Sequence, residues 1–154
     1  MEISKLIKRH LEEQRFAVLA TQFEDQPYTN LVAFTEFDGL RSLLFVTSRN
    51  TRKYTNILAS KKVAVLIDNR KNQVSDFHDA VAITALGVVA EIAVENRDEL
   101  SKIYLSKHPQ LKDFVNNPKS ALMKVAIREY ILATFEDVRR MTIEEPKQSA
   151  FKQD

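Results

Sequence analysis

The sequence predicts a mainly β protein, an antiparallel barrel of about six strands with helices at its periphery. Three observations carry this. Short apolar runs follow one another in the order β-β-β-α-β-β-α-β, with adjacent hairpins and no repeated βαβ unit. Asp38-Gly39 separates two of these runs, and such a pair marks a tight hairpin because glycine adopts positive φ without penalty. The run from Ala80 to Val94 is too long and too evenly apolar for a half-exposed strand, and Gly87 near its middle suits a bulge where a strand turns a barrel corner.

The elements follow in order. Residues 2–14 set Ile3, Leu6, Ile7 and Leu11 on one helical stripe, an amphipathic helix that covers something, with His10 among the polar positions beside it. Phe16 to Thr21 reads as a buried strand and Phe23 to Pro27 as its turn. Tyr28 to Phe37 is β-branched, aromatic and mostly alternating, hence a second strand. Arg41 to Thr47 is a third. A short helix follows, with Tyr54, Ile57 and Leu58 on one face, and then a strand from Lys62 to Asp68. Asn69 to Asp79 is polar and reads as a mobile loop carrying His78. Beyond the long run, Asn96 and Glu99 form a capping-box pattern for a helix that stops near His108-Pro109. Leu111 to Val115 is a helical turn, Asn116-Asn117-Pro118 breaks it, and Ala121 to Phe135 alternates as a final strand. We therefore expect one domain over residues 1–143 and a polar, frayed tail over 144–154.

Composition excludes several chemistries. The 154 residues contain no cysteine, so disulfides, thiolate metal sites and cysteine nucleophiles are ruled out. Two glycines leave no room for a GxGxxG fingerprint or a GxxxxGK[ST] loop. The three histidines, at 10, 78 and 108, are far apart with no HExxH motif, and no GxSxG elbow is present. No apolar run approaches the roughly 20 residues of a membrane helix, and the N-terminus lacks the apolar core of a secretion signal, so a cytoplasmic protein without a membrane partner is expected. A barrel with a basic stripe could read nucleic acid, but the net charge is only +2 and the aromatics fall within apolar runs, so no nucleic-acid partner is expected.

The chemistry concentrates between Leu43 and Asp68, which reads strand, tight turn, helix, strand. Thr47, Ser48, Asn50 and Thr51 supply capping side chains, and Arg49, Arg52 and Lys53 crowd the same helix start. A helix N-terminus already carries positive dipole character, so three cations there are unfavourable unless something anionic binds, a phosphate being the obvious occupant. A solvated turn with an ordinary cap is the competing reading. Charge distribution favours the anion: Arg41 to Lys71 holds eight basic residues and one acidic, so the rest of this +2 chain is net −5.

From Phe16 to Ile92 the pattern resembles the pyridoxamine 5′-phosphate oxidase-like FMN-binding split-barrel superfamily, a six-stranded antiparallel barrel of Greek-key type. The resemblance lies in FAVLAT, the Asp38-Gly39 hairpin, FVTSRNTRK, KKVAVLID and the ALGVVAEI strand, and it is most specific in T-x-x-x-S/T-R-K, here Thr47 to Lys53. It implies a homodimer with FMN at the subunit interface. By position Thr47, Arg52 and Lys53 match residues that bind the FMN phosphate, with Ser48 and Thr51 as neighbouring hydroxyl donors. The segment Phe16, Ala17, Val18, Leu19, Ala20 and Thr21 matches the strand whose backbone runs along the flavin, and Val46 matches a second contact. The flavin carries the chemistry in such proteins, so no catalytic side chain is expected. Ala82 stands where the oxidase proper has a glutamine, and there is no tryptophan, which implies a flavin-dependent reductase or oxidase of another small molecule, with a reduced nicotinamide or similar donor. A haem-binding or haem-degrading split barrel and a non-catalytic flavin-binding regulatory module are the alternatives.

Overall fold

The computed structural model describes residues 2–144. Its helices are α1 (Ile3–Glu13), α2 (Arg52–Ala59), α3 (Asp76–Asp79), α4 (Val94–Lys107) and α5 (Lys112–Asn116), with a 3-10 turn at Pro109–Leu111. Its strands are β1 (Phe16–Phe23), β2 (Gln26–Phe37), β3 (Ser42–Ser48), β4 (Lys62–Asp68), β5 (Ala82–Glu91), β6 (Ser120–Ala133) and β7 (Val138–Thr142). Six strands form a closed antiparallel barrel in the order β3-β2-β1-β4-β5-β6, closed where β3 pairs with β6 from Ser42↔Ala126 to Ser48↔Ser120.

That closure opens a split elsewhere. β2 pairs with β1 along eight residues but with β3 only from Phe34↔Phe45 to Phe37↔Ser42, so the first half of β2 parts from β3. Two hairpins set this geometry. Glu24 and Asp25 alone turn the chain between β1 and β2, both at positive φ (48° and 64°), as the twist of a two-residue loop demands. Asp38 and Gly39 are also left-handed, at φ 56° and 66°, within a four-residue loop.

Gly87 has the bulge that its position suggests. The β5–β6 register jumps between Leu86↔Glu129 and Gly87↔Ile127, leaving Arg128 unopposed. A Cβ on Gly87 would run into the carbonyl oxygen of Ala126 and the Val125 side chain, so close strand approach excludes any larger residue here.

Side-chain alternation makes two cores. Inside the barrel Leu19, Phe34, Phe45, Ile67, Ile83 and Val125 pack together, and α1 stops one end with Ile7 and Leu11. Outside it, Leu44, Val46 and Leu122 pack beneath Leu100 and Tyr104 of α4 and Val115 of α5. Each such fully buried aliphatic side chain contributes about 1.5–3 kcal/mol. Lys107 ties the layers together: its ammonium donates to the Leu11 carbonyl at the end of α1 (2.8 Å), lies 3.3 Å from Glu36 and sits over the Phe34 ring.

Several local expectations need correction. His10 is 6% exposed and buried, because three residues after Ile7 and four after Leu6 it lies within the stripe that α1 turns to the barrel. His108 is buried too, its Nε2–H donating to the Phe34 carbonyl. Leu58 is 67% exposed, and Asn56 is buried in its place. The helix expected to start at Asn96 starts at Val94 with Ala93 as its cap, because β5 ends at Glu91 and Asn96 lies exposed within the first turn. The Asn69–Asp79 segment is a built loop: Asp76 accepts from the N–H groups of Lys71 and Gln73, Asn69 accepts from Val81, and α3 forms inside it. The fringe strand β7 was not expected; it pairs with β6 beyond the stretch that β3 covers, and its side chains are mostly exposed. The expected tail, except exposed Glu144, lies outside the described residues.

Gly87→Ala is expected to destabilise the fold by about 3 kcal/mol, since the obstructing atoms include backbone. An unchanged urea midpoint would show that the bulge has room to spare. Burial holds both His10 and His108 below the ordinary histidine value of 6.5, so each favours the neutral form in the native state. The unfolded chain then binds more protons below about pH 6.5, and stability present above that pH is lost as pH falls through the native values. Urea midpoints should drop between pH 7 and 5.5, and His10→Leu should flatten the slope while leaving the pH 7 midpoint intact.

Candidate functional site

The turn between β3 and α2 is built from its own hydroxyls. Thr51 is the N-cap, at φ −92° and ψ 155°; its Oγ1 accepts from the Tyr54 N–H and donates to the Ser48 carbonyl at 2.8 Å. Thr47 Oγ1 lies 2.9 Å from the same Thr51 oxygen, and Thr47 is fully buried. Thr47 Oγ1 also lies 3.2 Å from the Ser48 carbonyl oxygen, so both threonine hydroxyls converge on that acceptor, and either can be the donor between them. Ser48, half-buried, accepts at Oγ from the Asn50 N–H. These groups shape the bend that presents the first turn of α2.

The three cations of the turn divide in two ways. Arg49 turns toward β6: its guanidinium donates to the carbonyls of Pro118 and Ser120 and pairs with Glu91 at 3.0 Å. The same Glu91 oxygen accepts from the Tyr54 hydroxyl, so Arg49, Glu91 and Tyr54 form a strut that fixes the turn from outside. Arg52 and Lys53 begin α2 itself. Among the described residues neither has a carboxylate within 4.0 Å. Arg52 is exposed and its guanidinium carbon lies 4.8 Å from the centroid of the Tyr28 ring. Lys53 is half-buried, and desolvation holds its ammonium below the ordinary lysine value. Two positive charges thus sit at the positive end of a helix, one of them partly stripped of water, without a neutralising carboxylate among the described residues.

Strand β1 carries the other expected residues, and α2 joins it to the turn. Asn56 donates to the Thr21 hydroxyl at 3.0 Å, and Gln22 donates to Ser60 at 3.1 Å. Ala17, Leu19 and Thr21 face the barrel interior, whereas Phe16, Val18 and Ala20 face outward. Val46 lies beneath α4 and α5, so its side chain does not face the turn. Across the split, Tyr28 and Asn30 come from the part of β2 that has left β3, and the buried Asn30 Oδ1 has no hydrogen-bond partner among the described residues. A cleft of about 420 Å³ lies at the other end of β1, lined by Phe16, Ala17 and Val18 with Leu31, Leu66 and Arg70. From Phe16 to Thr21 is about 17 Å of strand, at roughly 3.3 Å per residue. The structure therefore brings Thr47 to Lys53 together with Thr21, and sets Phe16 to Val18 apart as a separate surface.

Tyr28, Asn56 and Glu91 complete this arrangement, and sequence reasoning did not name them as site residues. Asn56 had no legible signal, since at about 100° per residue it falls on the side of the short helix away from Tyr54, Ile57 and Leu58. Tyr28 and Glu91 had none, since each acts across strands distant in sequence. Among the described residues no group of three His, Cys, Asp or Glu side chains is arranged to hold a metal ion, and no helix is long and apolar enough to cross a membrane.

Comparison with known proteins supplies the family. The sequence pattern described as pyridoxamine 5'-phosphate oxidase matches residues 3–133. A pyridoxamine 5'-phosphate oxidase homolog of Schizosaccharomyces pombe is 31% identical over 74 residues, a match covering 43% of this chain and 39% of that protein. The chain thus matches about two fifths of that relative's length. Two solved structures share the fold at low identity. A haem-binding protein from Mycobacterium smegmatis superposes with a TM-score of 0.80 at 12% identity, over 92% of this chain and 59% of that one. An FAD-binding protein from Mesorhizobium loti gives 0.69 at 14% identity, over 92% and 96%. Since the family match runs from α1 through β6, encompassing the whole barrel and the turn ahead of α2, the chain belongs to the pyridoxamine 5'-phosphate oxidase family.

Proposed function

We propose that this protein is an FMN-binding oxidoreductase that acts on a small molecule other than pyridoxamine phosphate, with a reduced nicotinamide or a similar donor as its electron source. The observation that carries the reading is the uncompensated pair Arg52 and Lys53 at the start of α2. A phosphate dianion supplies the missing charge, and Arg and Lys complement each other there, one as a bidentate fork and the other as a point charge. When bound, FMN supplies reversible one- and two-electron transfer. The residues of this chain do the rest: Arg52 and Lys53 hold the phosphate, Thr47, Ser48 and Thr51 keep the turn in shape, and the outward face of β1 orients the ring. The FAD-binding neighbour supports a flavin on this fold.

A homodimer belongs to the same proposal. Phe16 and Leu31 are 62% and 69% exposed on the outer face of β1 and β2, beside half-buried Val18 and Leu66. Apolar side chains grouped in this way on an open sheet face favour a partner surface, and a second copy of the chain suits the interface reading. A second reading, haem binding, rests on the Mycobacterium neighbour. His10 and His108 are buried, so His78, which is exposed, is the histidine that would hold the haem iron.

Purified protein titrated with FMN should develop a bound-flavin absorbance spectrum. Arg52→Ala combined with Lys53→Ala should weaken FMN at least about a hundredfold, given roughly 1.5–3 kcal/mol for each charge-assisted contact, with unchanged circular dichroism. A wild-type protein that ignores FMN would reject the proposal. A Soret band on haem addition that disappears in His78→Ala would favour the second reading, and tight FMN binding with no turnover by any donor would indicate a non-catalytic module.

A further inference from the structure

We propose that Tyr28 is a positioning residue for the phosphate site, holding the Arg52 guanidinium over its ring so that the N–H donors stay available to the anion. This rests on the FMN reading above and goes one residue beyond it, to a side chain on a different strand.

The geometry is a closed circuit of four residues. Tyr28 pairs across the hairpin with Thr21 of β1. Thr21 accepts a hydrogen bond from Asn56 of α2 at 3.0 Å. Asn56 lies one helical turn beyond Arg52, and residues four apart share a face of a helix. Arg52 returns to Tyr28 at 4.8 Å from the ring centroid. Strand pairing, a buried hydrogen bond and a helical turn therefore fix the ring and the guanidinium relative to each other.

The chemistry follows from how each partner is used. An exposed arginine samples many rotamers and must lose that freedom when it grips an oxyanion. An aromatic ring engages the guanidinium through its face, while the N–H donors lie in its plane. The contact with Tyr28 thus restricts the side chain without occupying the donors that a phosphate needs. Because the first half of β2 has parted from β3, Tyr28 stands beside the split, where a ring can reach α2. Its hydroxyl plays no part in this, so phenylalanine should serve equally.

The test is a double-mutant cycle read by FMN titration of the full chain, with Tyr28→Leu, Tyr28→Phe, Arg52→Ala and Tyr28→Leu/Arg52→Ala. Tyr28→Leu should weaken FMN about three- to tenfold, Tyr28→Phe should stay within about twofold of wild type, and Tyr28→Leu should add nothing once Arg52 is gone. Thermal melts of each variant separate loss of the hairpin from loss of positioning. An undiminished affinity in Tyr28→Leu, alongside a weakened Arg52→Ala, would overturn the role of Tyr28 and leave the cofactor reading standing. So would a loss that persists in the Arg52→Ala background. Wild-type protein that binds no FMN would overturn both.

Discussion

Closure of the sheet through β3 and β6 is the constraint from which the site follows. β3 commits all seven of its residues to β6, and only its first four also reach β2. The remaining length of β2 twists away with β1, and the barrel is left split beside the end of β3. Backbone groups at such a split must find partners or face water. Helix α2 occupies the neighbouring space, bonded to β1 through Asn56 and Ser60 and joined to β3 through the threonine pair. The same topology that makes a closed barrel thus also makes a short helix whose positive end faces outward from a rigid frame.

Electrostatics then separates residues that look alike in sequence. Arg49, Arg52 and Lys53 lie within five positions, yet Arg49 spends its charge on Glu91 and two carbonyls of the β6 entrance. That contact is half-exposed and so contributes little to stability by itself. Its value is geometric, because it fixes the path of the chain into α2. Arg52 and Lys53 have no carboxylate partner among the described residues, at a place where the helix dipole already disfavours positive charge.

How much of this was legible in the sequence depended on how local each signal was. The barrel strands, the Asp38-Gly39 loop and the Gly87 bulge could be read because apolar alternation and glycine placement act over a few residues. The turn at Thr47 to Lys53 was visible for the same reason. Strand β7 escaped because an edge strand carrying exposed Arg139 and Arg140 lacks apolar alternation. His10 escaped on its polarity alone, for three residues after Ile7 and four after Leu6 it stands inside the apolar stripe. The partition of the three cations, and the pairing of Arg52 with Tyr28, depend on contacts between strands and helices that no local pattern encodes.

Outside the closed ring, β7 is the last strand of the sheet among the described residues, a five-residue margin whose guanidinium groups, on Arg139 and Arg140, are exposed. Short, cationic margins of this kind discourage one sheet from extending into another, which is how β proteins avoid stacking into fibres. Strand-to-strand addition at this margin is consequently disfavoured.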